Sequence, residues 1–126
     1  MPAKKVQGVD ELRRELRGNR LVLLFIYDSR RNPERYIKSF MEYVSRRIES
    51  VQVIGVDLSV NEGFREELGV KSVPRLRLYL DSRMIWEQLG MFYSYGADAE
   101  ALRFGIRESI RRRGISLREL GVRIRL

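Results

Sequence analysis

The sequence predicts an α/β domain with a central mixed β-sheet flanked by helices. Two continuous apolar runs, residues 21–27 and 51–58, are bounded by turn residues and have the length of strands that are covered on both faces. A stretch with helical spacing separates them, and after Pro74 the pattern alternates strictly up to Leu80. We therefore expect two central strands, helices packed on the sheet, and a hairpin that begins with the alternating strand.

Capping residues and apolar spacing mark the first two helices. Asp10 is predicted to cap a short amphipathic helix that ends before Gly18. Ser29 or Asn32 is predicted to cap the second helix, which has Pro33 in its first turn and runs to about residue 47. Its inner face carries the apolar residues Ile37, Phe40, Met41, Val44 and Ile48.

The next part of the chain contains a short helix, a hairpin and an aromatic loop. Ser59 and Glu62 are three residues apart and form a predicted capping box for a third helix that ends at Gly69. After Leu80 a tight connection leads to the second strand of the hairpin. An aromatic loop is expected over residues 90–96.

The C-terminal part is predicted to be a long helix followed by an extension. Asp98 is expected to cap the helix. We divide the chain into a domain of residues 1–114 and an extension of residues 115–126 that ends in a strand over residues 122–126. An isolated apolar strand leaves its backbone groups unpaired. It is therefore expected to join the chain's own sheet or stay disordered, to form a homodimer with a second copy, or to capture a partner strand.

Composition excludes several kinds of chemistry. The 126 residues include no cysteine and no histidine, which removes disulfides, thiol nucleophiles, thiolate and imidazole metal ligands and the usual general base at neutral pH. No nucleophile–base pair or metal cluster can be named among the other residues, so we expect no enzymatic activity and no cofactor. The net charge of +8 favours anionic partners, including nucleic acid.

Composition also gives expectations about the source and the compartment. Most of the 25 basic residues are arginine, a usage typical of a thermophilic organism or of a GC-rich genome. The apolar runs are far shorter than the roughly 20 residues that span a bilayer. The charged N-terminus is not followed by an apolar segment, so we expect a cytoplasmic protein without a membrane partner.

Several short stretches, taken with the order of the elements, point to one family. They are Phe25 on the central strand, the pair Val56-Asp57 at the end of the next parallel strand, the segment L-G-V-K-S-V-P at residues 68–74, and Gly90 after the last strand. These residues resemble the thioredoxin family over residues 10–113, and the segment ending in Val-Pro is the most specific match. The resemblance implies a cis peptide bond before Pro74, in a loop that faces the start of the second helix.

The residues that carry thioredoxin chemistry are missing from this chain. In thioredoxins, Cys-x-x-Cys stands at the start of the second helix. The two cysteine positions fall here on Arg30 and Pro33, or on Ser29 and Asn32 if one residue is deleted. We therefore predict a redox-inactive thioredoxin-like protein and exclude thiol–disulfide exchange by this chain alone.

The groove beside Pro74 is the predicted binding site. Its candidate residues are Ser29, Arg30, Arg31, Asn32, Val73, Pro74, Arg75, Phe92, Tyr93 and Tyr95. The three guanidinium groups, placed around a helix N-terminus, would bind phosphate or carboxylate. The alternative is that these arginines are solvated or pair with Asp28, Glu34 and Asp57. The aromatic residues either grip a peptide or a base, or cover the end of the core.

Two further arginine features have open interpretations. Arg77 stands on a strand that family members usually keep apolar on both faces, which implies an uncovered face or a paired, partly buried side chain. The last helix carries a basic row that would track phosphates, formed by Arg103, Arg107, Arg111, Arg112 and Arg113. The alternative for this row is a solvated helix face, with Glu100 and Glu108 in reach.

The function that these features favour is a non-catalytic adaptor module. We expect it to bind a protein or peptide in the groove beside Val73-Pro74. The alternative is a basic protein that binds nucleic acid through its arginine rows.

Overall fold

The structure is a computed structural model that covers residues 1–126. None of its helices combines the length and the apolar character needed to cross a membrane. The elements in chain order are β1 (Lys4–Lys5), α1 (Val9–Gly18), β2 (Leu21–Tyr27), α2 (Glu34–Arg47), β3 (Ile48–Glu49), β4 (Gln52–Asp57), α3 (Gly63–Leu68), β5 (Arg75–Leu80), β6 (Arg83–Leu89), α4 (Tyr95–Arg112) and β7 (Arg123–Ile124).

Five strands form one mixed sheet in the order β1-β4-β2-β5-β6. Strand β2 is parallel to β4 and antiparallel to β5, with Phe25 opposite Gly55 on one side and opposite Leu76 on the other. Strands β5 and β6 form an antiparallel hairpin with an irregularity between Leu78 and Tyr79. The predicted mixed α/β architecture, with the first apolar run at the centre of the sheet, is confirmed.

Strand β2 divides the core into two clusters because its seven residues are all buried and alternate between the two faces. Phe25 and its same-face neighbours pack with the apolar faces of α2 and α4, represented by Phe40 and Ile106. Leu24 and its same-face neighbours pack with α1 and α3, represented by Leu12 and Phe64. The helices therefore cover both faces of the sheet.

The predicted caps of the first two helices are wrong. Helix α1 begins at Val9, so Asp10 lies inside its first turn, and the Glu11 carboxylate accepts the N–H of Gln7 at 2.7 Å. Gly18 is the last residue of α1 and does not lie beyond its end. Helix α2 begins at Glu34 without a side-chain cap, because the amide oxygen of Asn32 instead accepts the N–H of Asp28 at 2.8 Å.

The predicted caps of α3 and α4 are also wrong. Asn61 accepts the N–H of Gly63 at 2.8 Å, so the expected capping box between Ser59 and Glu62 does not form. Helix α4 begins at Tyr95, which places Asp98 inside its first turn and ends the aromatic loop two residues earlier than predicted. At α1, α2 and α4 a side chain near the helix start accepts a loop N–H, and at α3 the first helix N–H is accepted by Asn61 and not by the predicted Ser59. Spacing in the sequence does not resolve this competition.

The C-terminal strand pairs within the chain. Strand β7 is antiparallel to β3, with Ile124 opposite Ile48, and the two form a separate small sheet. The N–H of Arg125 donates to the carbonyl of Arg47 at 2.7 Å, and Val122 is buried in the cluster that contains α2 and α4. Of the arrangements that the sequence leaves open, the structure shows docking on the chain itself, at the end of α2 and not on the five-stranded sheet.

Helix α4 approaches strand β6 at a glycine. A Cβ atom on Gly105 would lie 2.3 to 2.5 Å from three ring atoms of Trp86, well inside van der Waals contact. The half-buried indole is therefore seated against the helix backbone. Gly96, in the first turn of the same helix, has no such neighbour within 4 Å.

We predict that Gly105→Ala destabilises the protein and that Gly96→Ala does not. At Gly105 the methyl group would displace the indole, an overpacking penalty of about 1–3 kcal/mol that exceeds the gain of about 1 kcal/mol in helix propensity. At Gly96 only the propensity term applies. Urea unfolding followed by circular dichroism should show a lower midpoint for Gly105→Ala and an equal or higher one for Gly96→Ala. An unchanged midpoint for Gly105→Ala would contradict the close packing.

Candidate binding surface beside Pro74

The Val73–Pro74 peptide bond is cis, and both residues are half-buried. The carbonyl of Pro74 accepts the N–H of Gly90 at 2.9 Å. This hydrogen bond fixes the start of β5 beside the loop that joins β6 to α4. The loop therefore lies next to Pro74.

Before α2, the polar groups of the loop bind other groups of this chain. The N–H of Ser29 donates to Asp57 at 3.1 Å, and its hydroxyl lies 2.8 Å from that of Ser59. Arg30 binds the buried carboxylate of Asp28 through Nε and Nη2, at 3.0 and 2.9 Å. This contact is the main reason that the pKa of Asp28 lies below its usual range. Arg31 is exposed and has no carboxylate partner.

Arg75 and Arg77 share one carboxylate on the neighbouring strand. The Glu87 Oε2 atom lies 3.1 Å from Arg75 Nη1 and 2.7 Å from Arg77 Nε. Arg77 is buried and also donates to the carbonyl of Leu68 at 2.7 Å. Burial acts to raise the pKa of Glu87, but the two guanidiniums outweigh it and hold that pKa below its usual range.

These pairs decide between the open interpretations of the arginines. Arg77 is paired with Glu87 and buried, so the interpretation of a paired side chain is correct and that of an uncovered sheet face is not. Among the three arginines predicted to bind an anion, Arg30 and Arg75 pair with Asp28 and Glu87, so two of the three guanidiniums already face a carboxylate of this chain.

The three loop aromatics have different environments. Tyr95 covers the core, since its ring lies 5.3 Å from that of Phe40 and its hydroxyl is hydrogen-bonded to that of Ser39. Tyr93 packs edge-on against Tyr36 with ring centroids 5.6 Å apart and remains 41% exposed. Phe92 is 66% exposed. Of the three, Phe92 is therefore the most available to a partner.

Asp98 orders this loop, a role that the sequence did not indicate. Its buried carboxylate accepts the N–H groups of Phe92 and Ser94, at 2.8 and 3.3 Å, and the hydroxyl of Tyr36 at 2.5 Å. Burial, with the bond to Asp98, raises the pKa of the Tyr36 hydroxyl. The sequence predicts a helix cap at Asp98, whereas the structure shows its carboxylate bound to the loop that precedes the helix.

Leu89 is a surface residue that the sequence analysis missed. It is the last residue of β6, stands opposite Arg75 in the sheet and is 65% exposed. Its neighbour Gly90 is bonded to Pro74, so Leu89 lies near the cis proline. We define the Pro74 surface as Val73, Pro74, Leu89, Phe92 and Tyr93.

The basic row on α4 is partly paired. Arg103 is bonded to Glu100, and Arg111 lies 2.5 Å from Glu108, each three residues apart on the helix. The other three members of the row, Arg107, Arg112 and Arg113, are exposed and have no carboxylate within 4.0 Å. No group of three or more acidic residues is arranged to hold a metal ion.

Solved thioredoxins have a similar structure. A mutant thioredoxin from Halobacterium salinarum NRC-1 superposes with a TM-score of 0.71 over 86% of this chain and 90% of its own, at 24% identity. A thioredoxin from Plasmodium falciparum gives a TM-score of 0.71 at 23% identity, covering 84% of this chain and 98% of that one. The chain has the thioredoxin fold. No protein-family model and no curated protein sequence matches it.

The thioredoxin fold without cysteine fits a non-catalytic module. The chain contains no thiol, so it cannot exchange disulfides by itself. At the start of α2, where thioredoxins carry their cysteines, the loop instead holds Arg30 paired with Asp28, and Asn32 bonded to the backbone. The surface beside the cis proline has no thiol.

We predict that Glu87→Gln lowers stability by roughly 1–3 kcal/mol at neutral pH, since it removes the carboxylate that pairs with buried Arg77. A carboxyl group whose pKa is depressed on folding stabilises the protein above its unfolded pKa of about 4.3, and this contribution disappears as the pH falls through the folded pKa. The difference between wild type and Glu87→Gln should therefore be largest above about pH 5 and shrink in acid.

Urea unfolding at a series of pH values measures this difference. Glu66→Gln is the matched control, because Glu66 is exposed and belongs to no ion pair, and it should stay within about 0.5 kcal/mol of wild type. A Glu87→Gln deficit that does not change with pH would contradict a charge-based role for Glu87.

Proposed function

We propose that the chain is a non-catalytic module that binds a protein or peptide segment on the Pro74 surface. The observation that carries this proposal is the pair of exposed apolar side chains formed by Leu89, at the end of β6, and Phe92, in the following loop whose Gly90 is bonded to Pro74. Exposed apolar groups that are close together are typical of protein interaction sites, and aromatic residues commonly contribute much of the binding energy.

The polar groups around this surface support recognition by apolar contact. No buried side-chain nitrogen or oxygen lacks a hydrogen-bond partner. Arg30 and Arg75 are engaged with carboxylates, so an anionic ligand would have to compete with Asp28 and Glu87. A peptide side chain that packs on Phe92 and Leu89 would not disturb these pairs.

The loop that carries Phe92 is held in place before any partner binds. Asp98 accepts two of its backbone N–H groups, and Tyr93 packs on Tyr36 of helix α2. A pre-ordered loop loses little conformational freedom on binding, which favours affinity for a given contact area.

Selection of peptides from a random phage-displayed library on the immobilised chain tests this function. The selected peptides are synthesised and their affinities measured with wild type and with the Leu89→Ser/Phe92→Ser variant. We expect binding to weaken by about tenfold or more, because central apolar contacts dominate such interfaces. Both residues are exposed, so circular dichroism should show an unchanged fold.

Met84→Ser is the control, since Met84 is another exposed apolar residue on β6, at the opposite end of the strand. It should leave the affinity unchanged. If no peptide is enriched, or if the double variant binds as well as wild type does, the Pro74 surface is not a peptide site.

A second candidate function is binding of nucleic acid by the basic row. It rests on the exposed, carboxylate-free guanidiniums of Arg107, Arg112 and Arg113 and on the net charge of +8. Binding through phosphates releases counterions, so the logarithm of the association constant falls with the logarithm of salt concentration by about 0.9 per phosphate neutralised.

We predict a slope of about −3 for a 20-base-pair duplex if the three arginines each contact a phosphate. Arg107→Glu/Arg112→Glu should flatten the slope, whereas Arg14→Glu/Arg17→Glu on α1 makes the same change in net charge away from the row. Fluorescence anisotropy at several salt concentrations measures this. A flat response, or equal effects of the two double variants, would exclude the row as a nucleic-acid site and leave the peptide function.

A further inference from the structure

A groove runs between the edge strand β6 and helix α4, from the loop beside Pro74 towards Trp86. It contains two hollows of about 260 and 540 Å³. The first lies beside Gln88, Phe92 and Ala101, and the second beside Trp86 and Phe104. Ala101 and Phe104 are three residues apart and lie on the same face of α4. Gln88 and Trp86 are two residues apart and lie on the same face of β6, so the two hollows follow one another along one groove.

Strand β6 is the open edge of the five-stranded sheet. The N–H of Gly90 bonds to Pro74, and in an antiparallel ladder every second residue faces the partner strand. Gln88 and Trp86 therefore direct their backbone groups to β5, and Leu89 and Glu87 direct theirs outward. An outward row of unpaired N–H and C=O groups is a template for a further strand.

The register irregularity of the hairpin leaves Ile85 of β6 unmatched and protects that part of the edge, whereas residues 86–89 pair in regular register and carry little of the usual protection of an edge strand. A charged side chain in mid-strand normally discourages pairing, but that of Glu87 is drawn inward to Arg75 and Arg77. Strand β6 contains no proline and is seven residues long. Beside it, the Phe104 ring is 65% exposed and the Trp86 indole lines the larger hollow.

The charge of the groove indicates what would fill it. Arg112 and Arg113 line the larger hollow without a carboxylate partner, and its acidic residue, Glu108, is already paired with Arg111. A second copy of the chain, itself at +8, would bring like charges together. An acidic segment would complement the arginines.

The geometry points to β6 as the docking site for an acidic, extended segment of a partner protein. The segment adds to the sheet as a sixth strand beside Glu87 and Leu89, places an apolar side chain against Trp86 and Phe104, and pairs a carboxylate with Arg112 or Arg113. This inference goes beyond the proposed function because its side-chain anchors, Trp86, Phe104 and Arg112 or Arg113, lie outside the Pro74 surface, which adjoins the groove at Leu89 and Phe92.

The probe for this site is a nine-residue peptide that alternates Glu with Val or Phe. Trp86 is the only tryptophan of the chain, so its fluorescence reports occupancy of the groove directly. We expect a saturable change in emission below about 1 mM peptide. The same peptide, N-methylated at alternate amides, keeps the charges and side chains but cannot pair with an edge strand, and should bind at least about tenfold more weakly.

Two variants locate the site. Phe104→Ser and Arg112→Glu/Arg113→Glu should each weaken binding by about tenfold or more, and Arg14→Glu/Arg17→Glu, which changes net charge equally, should have a much smaller effect. Isotope-edited NMR of the complex should protect the amides of Glu87 and Leu89 from exchange.

Four results would overturn the inference. These are an absence of saturable binding, equal binding of the N-methylated peptide, equal effects of the two arginine double variants, and self-association of the peptide-free chain through β6 in sedimentation. Loss of binding in Phe92→Ser with retention in Phe104→Ser would instead assign the peptide to the Pro74 surface. Failure of the Leu89→Ser/Phe92→Ser test leaves the groove experiment unaffected, so the two proposals fail separately.

Discussion

Burial of β2 on both faces is the constraint on which the rest of this structure depends. A strand without a solvent face needs helices on both sides and a neighbour at each edge, because its backbone groups and its apolar side chains must all be covered. Leu24 and Phe25 are adjacent in β2 and belong to the two apolar clusters on opposite faces of the sheet, so the strand connects both clusters in one domain. Strand β2 ends at Tyr27 and is followed by the buried carboxylate of Asp28. Its parallel neighbour β4 ends at a second buried carboxylate, that of Asp57.

The two carboxylates at these strand ends have partners within the chain. Asp28 is paired with Arg30, and Asp57 lies 3.8 Å from Lys5. Burial acts to raise the pKa of Asp57, but hydrogen bonds from Ser29 and Ser59 outweigh it, so that this pKa is lowered. Buried carboxylates are stable only with such partners. Both carboxylates are therefore engaged within the chain, and Leu89 and Phe92 are the most exposed apolar side chains of the Pro74 surface.

The prediction from sequence succeeded for the features that depend on burial and failed for the caps of the four helices, where side chains have competing local hydrogen bonds. The apolar run of β2 and the alternation of β5 have few alternative structures, so both were recovered. Whether Asn32 or Asp98 caps a helix or binds a loop N–H depends on geometry within one turn, which spacing does not specify. The pairing of Arg77 could be anticipated as an alternative, but its partner Glu87 is ten residues away along a hairpin whose register contains an irregularity.

The two surfaces meet at one loop, and Asp98 gives that loop its shape. Phe92 belongs to the Pro74 surface and also borders the first hollow of the β6–α4 groove, so a shift of this residue would alter both. Its N–H is bound by a buried carboxylate that also holds the Tyr36 hydroxyl, and Tyr36 in turn stacks on Phe40 in the core. A chain of contacts thus connects the most exposed aromatic residue of the loop to the cluster that β2 organises. Because interiors are close-packed and deform little, these contacts hold the loop, and with it one end of each proposed surface, in a fixed position.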